Sequence, residues 1–160
     1  MAVDMFLKLE GIDGESRDKV HNKKSEVLSW SWGVTQSGTV HSGGGAGGGK
    51  ASVQDISIVK WVDKSSPEIW KRCFSGKHFG SGELIVRKAG DSPLEYMKYE
   101  LKDILITSVS TGGSGGEDRL TENISLNFAE VKFVYTEQRQ DGGKGDAPEM
   151  KLKIAENDYE

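Results

Sequence analysis

The stretch TENISLNFAEVKFVYTEQ, from Thr121 to Gln138, decides the fold. Ile124, Leu126 and Phe128 alternate with polar neighbours, the period-2 pattern of a half-buried strand. Val131, Phe133 and Tyr135 keep that period in the opposite phase. A slip of one residue inside a long strand marks a bulge, or a strand that passes from one sheet to another. Glu95 to Ser110 behaves alike: Met97, Tyr99 and Leu101 share one face, Ile104 and Ile106 the other, with the slip near Lys102 and Asp103. Two long strands that both turn over predict a mainly β fold, a closed or strongly bent two-sheet β-barrel.

Shorter strands surround this pair. Val3, Met5, Leu7 and Leu9 alternate, with Phe6 the exception. In Val27 to Val34, Leu28, Trp30, Trp32 and Val34 form a bulky face, and Ser29, Ser31 and Gly33 a small, smooth one. Ala51 to Val62, Glu83 to Lys88 and Met150 to Ile154 read as further strands, and the tail AENDYE as frayed. One segment breaks the pattern. Ser65 with Glu68 forms an S-x-x-E box, or Ser66 caps with Pro67 behind it, and Ile69, Trp70, Cys73 and Phe74 follow at helical spacing up to Gly76. This predicts one short amphipathic helix on the flank.

A chain of 160 residues fits a single domain, here 1–160, with glycine-rich loops near 36–50 and 111–120 and a polar tail from 139. The net charge of −4 comes with no cluster of basic residues, which argues against nucleic acid and anionic membranes as partners. No run approaches the roughly 18 apolar residues of a membrane helix. The single Cys73 rules out an intrachain disulfide and suits a reducing cytoplasm. MAVDMFLKLEGIDGE has acidic residues and no long apolar core, so any export is expected to proceed without a cleaved signal peptide.

The motifs that suggest chemistry fail on context. HSGGGAGGGKAS, from His41 to Ser52, has the spacing of a phosphate loop, but Ala51 stands where Ser or Thr would bind magnesium. A strand follows it, so no helix N-terminus points at a phosphate. His21, His41 and His78 lie far apart without ligand spacing and read as surface or loop residues. Asp13, Glu15 and Asp18 do not match a calcium loop and read as a solvated acidic turn. Glu117, Asp118 and Arg119 sit in a polar loop, where contacts between subunits suit them better than catalysis. Cys73 on the helix's apolar stripe reads as a small hydrophobe. The expectation is a binding or structural protein, with no enzyme activity, cofactor or metal. A monomeric β-sandwich binding module is the alternative.

Four segments in order, MAVDMFLKLEGIDGESRDK, VLSWSWGVTQSGT, DKSSPEIWKRCFSGKH and STGGSGGEDRLTENISLNFAEV, resemble the haemolysin-coregulated protein family, Hcp, over about residues 1 to 137. The resemblance implies the inner-tube protein of the bacterial type VI secretion system. It implies a compact barrel with a flanking helix, hexameric rings that stack into a tube like that of a phage tail, a spike protein at the tip and sheath proteins around it. It also implies small effector proteins held in the channel, assembly in the bacterial cytoplasm, and expulsion to the exterior or into a target cell. On that footing Ser29, Ser31 and Gly33 are expected to line the channel. His41, Gly43, Gly44, Gly45, Ala46, Gly47, Gly48, Gly49 and Lys50 are expected to contact the next ring. Glu117, Asp118 and Arg119 are expected to meet a neighbouring subunit.

Overall fold

The computed structural model describes residues 3–40, 50–88, 93–156 and 158–159. The strands are β1 (Val3–Leu9), β2 (Ser25–Ser31), β3 (Val34–Gln36), β4 (Ala51–Val53), β5 (Ile56–Trp61), β6 (Phe79–Lys88), β7 (Leu94–Gly112), β8 (Thr121–Tyr135), β9 (Glu149–Lys153) and β10 (Asp158–Tyr159), with one helix, α1 (Ser66–Ser75), between β5 and β6. The large sheet runs β10-β9-β8-β5-β2-β1-β6-β7, and β7 pairs back onto β8. Every ladder is antiparallel, and the closure makes a six-stranded barrel with β9 and β10 outside it. The strands β3 and β4 form a separate two-stranded ribbon.

The phase slips of the sequence are the points where the two long strands turn over, and they face each other. Leu101 pairs with Val131 and Ile104 with Phe128, all four buried, while the residues between them point outward. Asp103 accomplishes this on β7 with a φ of 56°, left-handed backbone that a short polar residue tolerates. Beyond the turn β8 exchanges its neighbour, pairing with β5 before it and β9 after it. A further irregularity, Thr107 between Ile106 and Ser108, adds one residue to β7 and increases its bend.

Several local expectations need correction. The strand expected over 27–34 breaks after Ser31, and Ala51–Val62 breaks between β4 and β5. The ladder of β2 slips at Leu28, which therefore turns outward at 39% exposure, and Val34 is exposed on the ribbon. Trp30 and Trp32 do pack on the core. The helix starts at the expected N-cap, Ser65, but no side chain caps it, because Ser65 Oγ donates to Asp63 instead. Gly76 ends it in the left-handed region, at φ 69°. Ile69 is buried, Trp70 and Cys73 half-buried, and Phe74 is solvent-exposed rather than on the apolar stripe. In the tail, Asp158 and Tyr159 pair with Lys153 and Leu152, so that part is strand rather than frayed.

Two charged clusters weld loops to the barrel. Phe6, out of phase in β1, is buried against the ring of His21, with centroids 4.8 Å apart. His21 is only 3% exposed, against the expectation of a surface histidine; Lys24 Nζ donates to its Nδ1 at 2.9 Å. Beside them Arg87 donates to both oxygens of Asp18, at 2.9 and 2.6 Å, and to Asp4 at 2.9 Å. Asp18 is thus a paired anion and not part of a solvated turn. The Arg87 guanidinium holds its carboxyl well below the ordinary range. A depressed carboxyl stabilises the fold above the unfolded-state pKa, near 3.9, and that stability is lost as pH falls through the native value. Arg87→Met should therefore cost about 2–4 kcal/mol at neutral pH and shift acid unfolding, followed by circular dichroism, to higher pH. An unchanged acid midpoint would show that the pair carries no net stability.

Candidate functional site

The outer face of β2, β5, β8 and β7 carries a wall of two rows of small uncharged side chains, bounded at one end by the Asp55 carboxylate, which accepts from Thr107 Oγ1 at 2.6 Å and from Asn127 Nδ2 at 2.9 Å. Ser31 pairs with Ser57, Ser57 with Ser125, and Ser125 with Ser108, a row of serines across four adjacent strands. The next row is Ser29, Val59, Asn123 and Ser110. Period-2 alternation causes this: the intervening residues Ile58, Ile124 and Leu126 point inward and are buried, so their neighbours must face out. Ser29, Ser31, Ser57 and Asn123 rim a shallow depression of about 280 Å³. Below the wall Trp30 meets Tyr99 at 5.1 Å between ring centroids, Trp32 meets it at 5.7 Å, and Phe133 stacks on its other side at 4.6 Å. The wall is smooth because its bulk is on the inside.

This sheet has two open edges. Beyond Glu26, β2 pairs only with β5, and beyond Ile104, β7 pairs only with β8. The remaining edge of β2, from Val27 to Ser31, and that of β7, from Leu105 to Gly112, have no strand partner among the described residues. Successive strands β2, β5, β8 and β7 alternate in direction. The two open edges therefore belong to strands of opposite sense.

The far side of the barrel is charged. A chain of ion pairs crosses β6 to β9: Lys24 to Glu83 at 2.7 Å, Glu83 to Lys98 at 3.5 Å, Lys98 to Glu100 at 3.3 Å, and Lys132 between Glu100 at 3.9 Å and Glu149 at 3.5 Å. Burial works against the ionised form of Glu83, but Lys24 and Lys98 outweigh it and hold the carboxyl below its ordinary value. Exposed pairs of this kind contribute little to stability singly. They do give this face a charge pattern that the serine wall lacks.

Of the residues expected to be functional, Ser29 and Ser31 are exposed on the wall and Gly33 lies just past its end, half-buried against Gln54. His41 and Gly43 to Gly49 lie outside the described residues. Lys50 closes that loop at the base of the β3–β4 ribbon, its N–H donating to Ser37 Oγ at 3.1 Å. Glu117 and Asp118 are exposed in the β7–β8 hairpin. Arg119 has a partner within its own chain, its guanidinium lying 4.3 Å from the ring centroid of Trp61. The serines on β5, β8 and β7 were not singled out by sequence. The alternation in Ile56 to Trp61 and Thr121 to Phe128 marks them as outward, but nothing local says that they share a face with Ser29 and Ser31. Among the described residues no group of three or more His, Cys, Asp or Glu side chains is placed to hold a metal ion, and no helix is long and apolar enough to cross a membrane.

The site is thus an open-edged wall of serines on a closed barrel with a flanking helix. Residues 6–135 match the family model described as type VI secretion system effector, Hcp, and the chain belongs to that family. It is 54% identical to protein hcp1 of Pseudomonas aeruginosa over 149 residues, 92% of the length of each. The crystal structure of Hcp1 from Salmonella typhimurium aligns at 39% identity with a TM-score of 0.82 over the whole of both chains. A structure described as a type six secretion system protein aligns at 30% identity with a TM-score of 0.93, over 99% of this chain and 100% of the other.

Proposed function

We propose that this protein is a tube subunit of the type VI secretion system. Six copies form a ring whose channel is lined by the serine wall, rings stack into the expelled tube, and the channel carries small effectors. The observation that carries this reading is the wall with its two open edges. Edge strands of opposite sense on one sheet let β7 of one copy pair antiparallel with β2 of the next. Two different edges meeting repeatedly make a heterologous contact, which closes into a ring when the rotation permits. Pairing also removes the aggregation hazard of bare edges. A small, uncharged hydroxyl surface stays wet without holding any one cargo by charge. The charged face of β6 to β9 then lies outward, available to sheath proteins. The tip receives the spike protein, and the segment from His41 to Lys50 reaches toward the next ring. Assembly takes place in the bacterial cytoplasm, followed by export without a cleaved signal peptide. Nothing in this mechanism calls for a catalytic group or a cofactor.

Native mass spectrometry at tens of micromolar should show a species of about 105 kDa, six chains of 17.5 kDa, with ring-shaped particles in negative stain. A strictly monomeric protein would overturn the ring. Ser31→Gln replaces a small wall side chain by a bulky one and should leave rings intact while reducing cargo retention in co-purification. Normal retention would remove Ser31 from the channel.

A further inference from the structure

The connection from β1 to β2 folds into a small hairpin on the barrel. Gly14 N–H donates to the Lys23 carbonyl at 2.7 Å, Ser16 N–H to that of Lys24 at 2.9 Å, and Lys23 N–H to that of Ser16 at 2.9 Å. Lys23 turns the chain with a φ of 64°, left-handed backbone that a residue with a side chain adopts at a cost. Between residues 11 and 24 only Gly14, Ser16 and His21 are buried. The hairpin has two anchors beneath it. One is Asp18, which Arg87 of β6 grips; the other is the His21 ring, packed on Phe6.

The neighbours of that ring fix its protonation. An ammonium can only donate, so Lys24 Nζ, 2.9 Å from Nδ1, requires a lone pair there. The ring is therefore neutral and carries its proton on Nε2. Nε2 lies 2.6 Å from Glu95 Oε1 on β7, but the carboxylate is out of line with the N–H, and this buried nitrogen makes no directed hydrogen bond. Glu95 forms no other ion pair among the described residues. The other charges around the ring are committed elsewhere. Lys24 also holds Glu83 of β6 at 2.7 Å, and Arg87 is taken by Asp18 and by Asp4 of β1. A second state is thus built into the site. A proton on Nδ1 would set a like charge against Lys24, which would leave the ring and keep Glu83, while Glu95 would become the counter-ion of the imidazolium.

We propose that His21 is a pH-operated latch, shut while its neutral ring accepts from Lys24 and opened by acid, which protonates Nδ1, expels Lys24 and loosens the hairpin from Gly14 to Lys24. The open state binds one more proton than the shut one, so falling pH favours it. Histidine is the side chain that changes charge between pH 5 and 8. The carboxyls of Asp18 and Glu83 are held below their ordinary range and keep their charge through that interval. The Asp18 anchor therefore stays, and the opening is local. This device belongs to the single chain and does not depend on the proposed ring.

The test uses the full chain at one protein concentration. Nitrogen-15 NMR of the histidine rings should show His21 as the Nε2–H tautomer at pH 7.5 and as an imidazolium at pH 5. Hydrogen exchange read by mass spectrometry, corrected for the intrinsic effect of pH, should show peptides covering 14–24 protected about tenfold less at pH 5 than at pH 7.5, relative to β8. His21→Phe keeps an aromatic ring on Phe6 without the titration and should abolish the step. Glu95→Gln removes the waiting counter-ion and should move the step to lower pH. A ring that is still neutral at pH 5, equal protection at both pH values, or a step that survives in His21→Phe or stays in place in Glu95→Gln would overturn the latch. Should a variant fail to fold, the parent alone decides: the ring's change of charge and the loss of protection must share one midpoint, and separate midpoints would overturn the proposal.

Discussion

Lys60→Met is expected to destabilise the fold by about 3–5 kcal/mol, because it leaves buried carboxylates without their cation. Lys60 is fully buried, and its Nζ lies 2.7 Å from Glu122 Oε1 and 3.0 Å from Asp63 Oδ1. Ser66 Oγ donates to Glu122 Oε1 at 2.8 Å and Trp70 Nε1 to Glu122 Oε2 at 3.1 Å. Since Ser66 and Trp70 belong to α1 while Lys60 and Glu122 pair across β5 and β8, this cluster fastens the helix to the barrel. Burial opposes ionisation of Asp63, yet Ser65 and Lys60 win and its carboxyl lies below the ordinary value. In the parent, that part of the stability is present above the unfolded-state pKa and is lost as pH falls through the native one. Without Lys60 the Asp63 carboxyl loses the cation that helps hold it low and gains by taking up a proton, so the variant should be relatively less impaired near pH 5 than at pH 7.5. Urea unfolding at both pH values and one fixed protein concentration measures this, concentration mattering because assembly adds to apparent stability. A parent-like midpoint at pH 7.5 would show that the cluster is energetically neutral.

Tyr99→Ala should cost about 3–5 kcal/mol by the cavity it leaves. Tyr99 is 5% exposed and touches Trp30, Trp32 and Phe133, so it supports β2 from beneath the wall. Loss of ring assembly should accompany loss of stability, since β2 supplies one of the two edges proposed to join neighbouring subunits. Tyr99→Phe keeps the ring stack and should cost about 1 kcal/mol or less. Burial raises the phenol pKa of Tyr99. Its neutral form therefore stabilises the fold below the unfolded-state pKa, near 10, and that contribution fades as pH rises through the native value. The Phe variant should lose less stability than the parent between pH 9 and 11. If Tyr99→Ala and Tyr99→Phe proved equally stable, the aromatic stack would not be what holds β2.

The same contrast between local pattern and long-range packing separates what was legible from what was not. Alternation is a local property, so the long strands, their turning points and the outward set of Ser29 and Ser31 could be read from neighbours alone. The one helix was legible too, since Pro67, Glu68 and Gly76 punctuate it within a dozen residues. The errors occurred where a distant partner overrode the local signal. Leu28 fits an inward phase until the β2–β5 ladder slips by one residue and turns it out. Phe74 fits the helical stripe, but the surface that α1 buries ends before it. His21 and Asp18 read as loop polar residues until Phe6, Lys24 and Arg87 enclose them.

By itself, then, the sequence determined a β-barrel with a flanking helix, the points at which its long strands turn over, and membership of the family through motifs spread over most of the chain. Only the tertiary structure decided which serines share a wall, that this wall has two open edges, and that Lys60 sits between Glu122 and Asp63. Those are relations between residues far apart in the chain, as Ser57 and Ser125 are, or Lys60 and Glu122. No periodicity within one strand specifies the register of another, because register is set by what the closed barrel buries on its inner face.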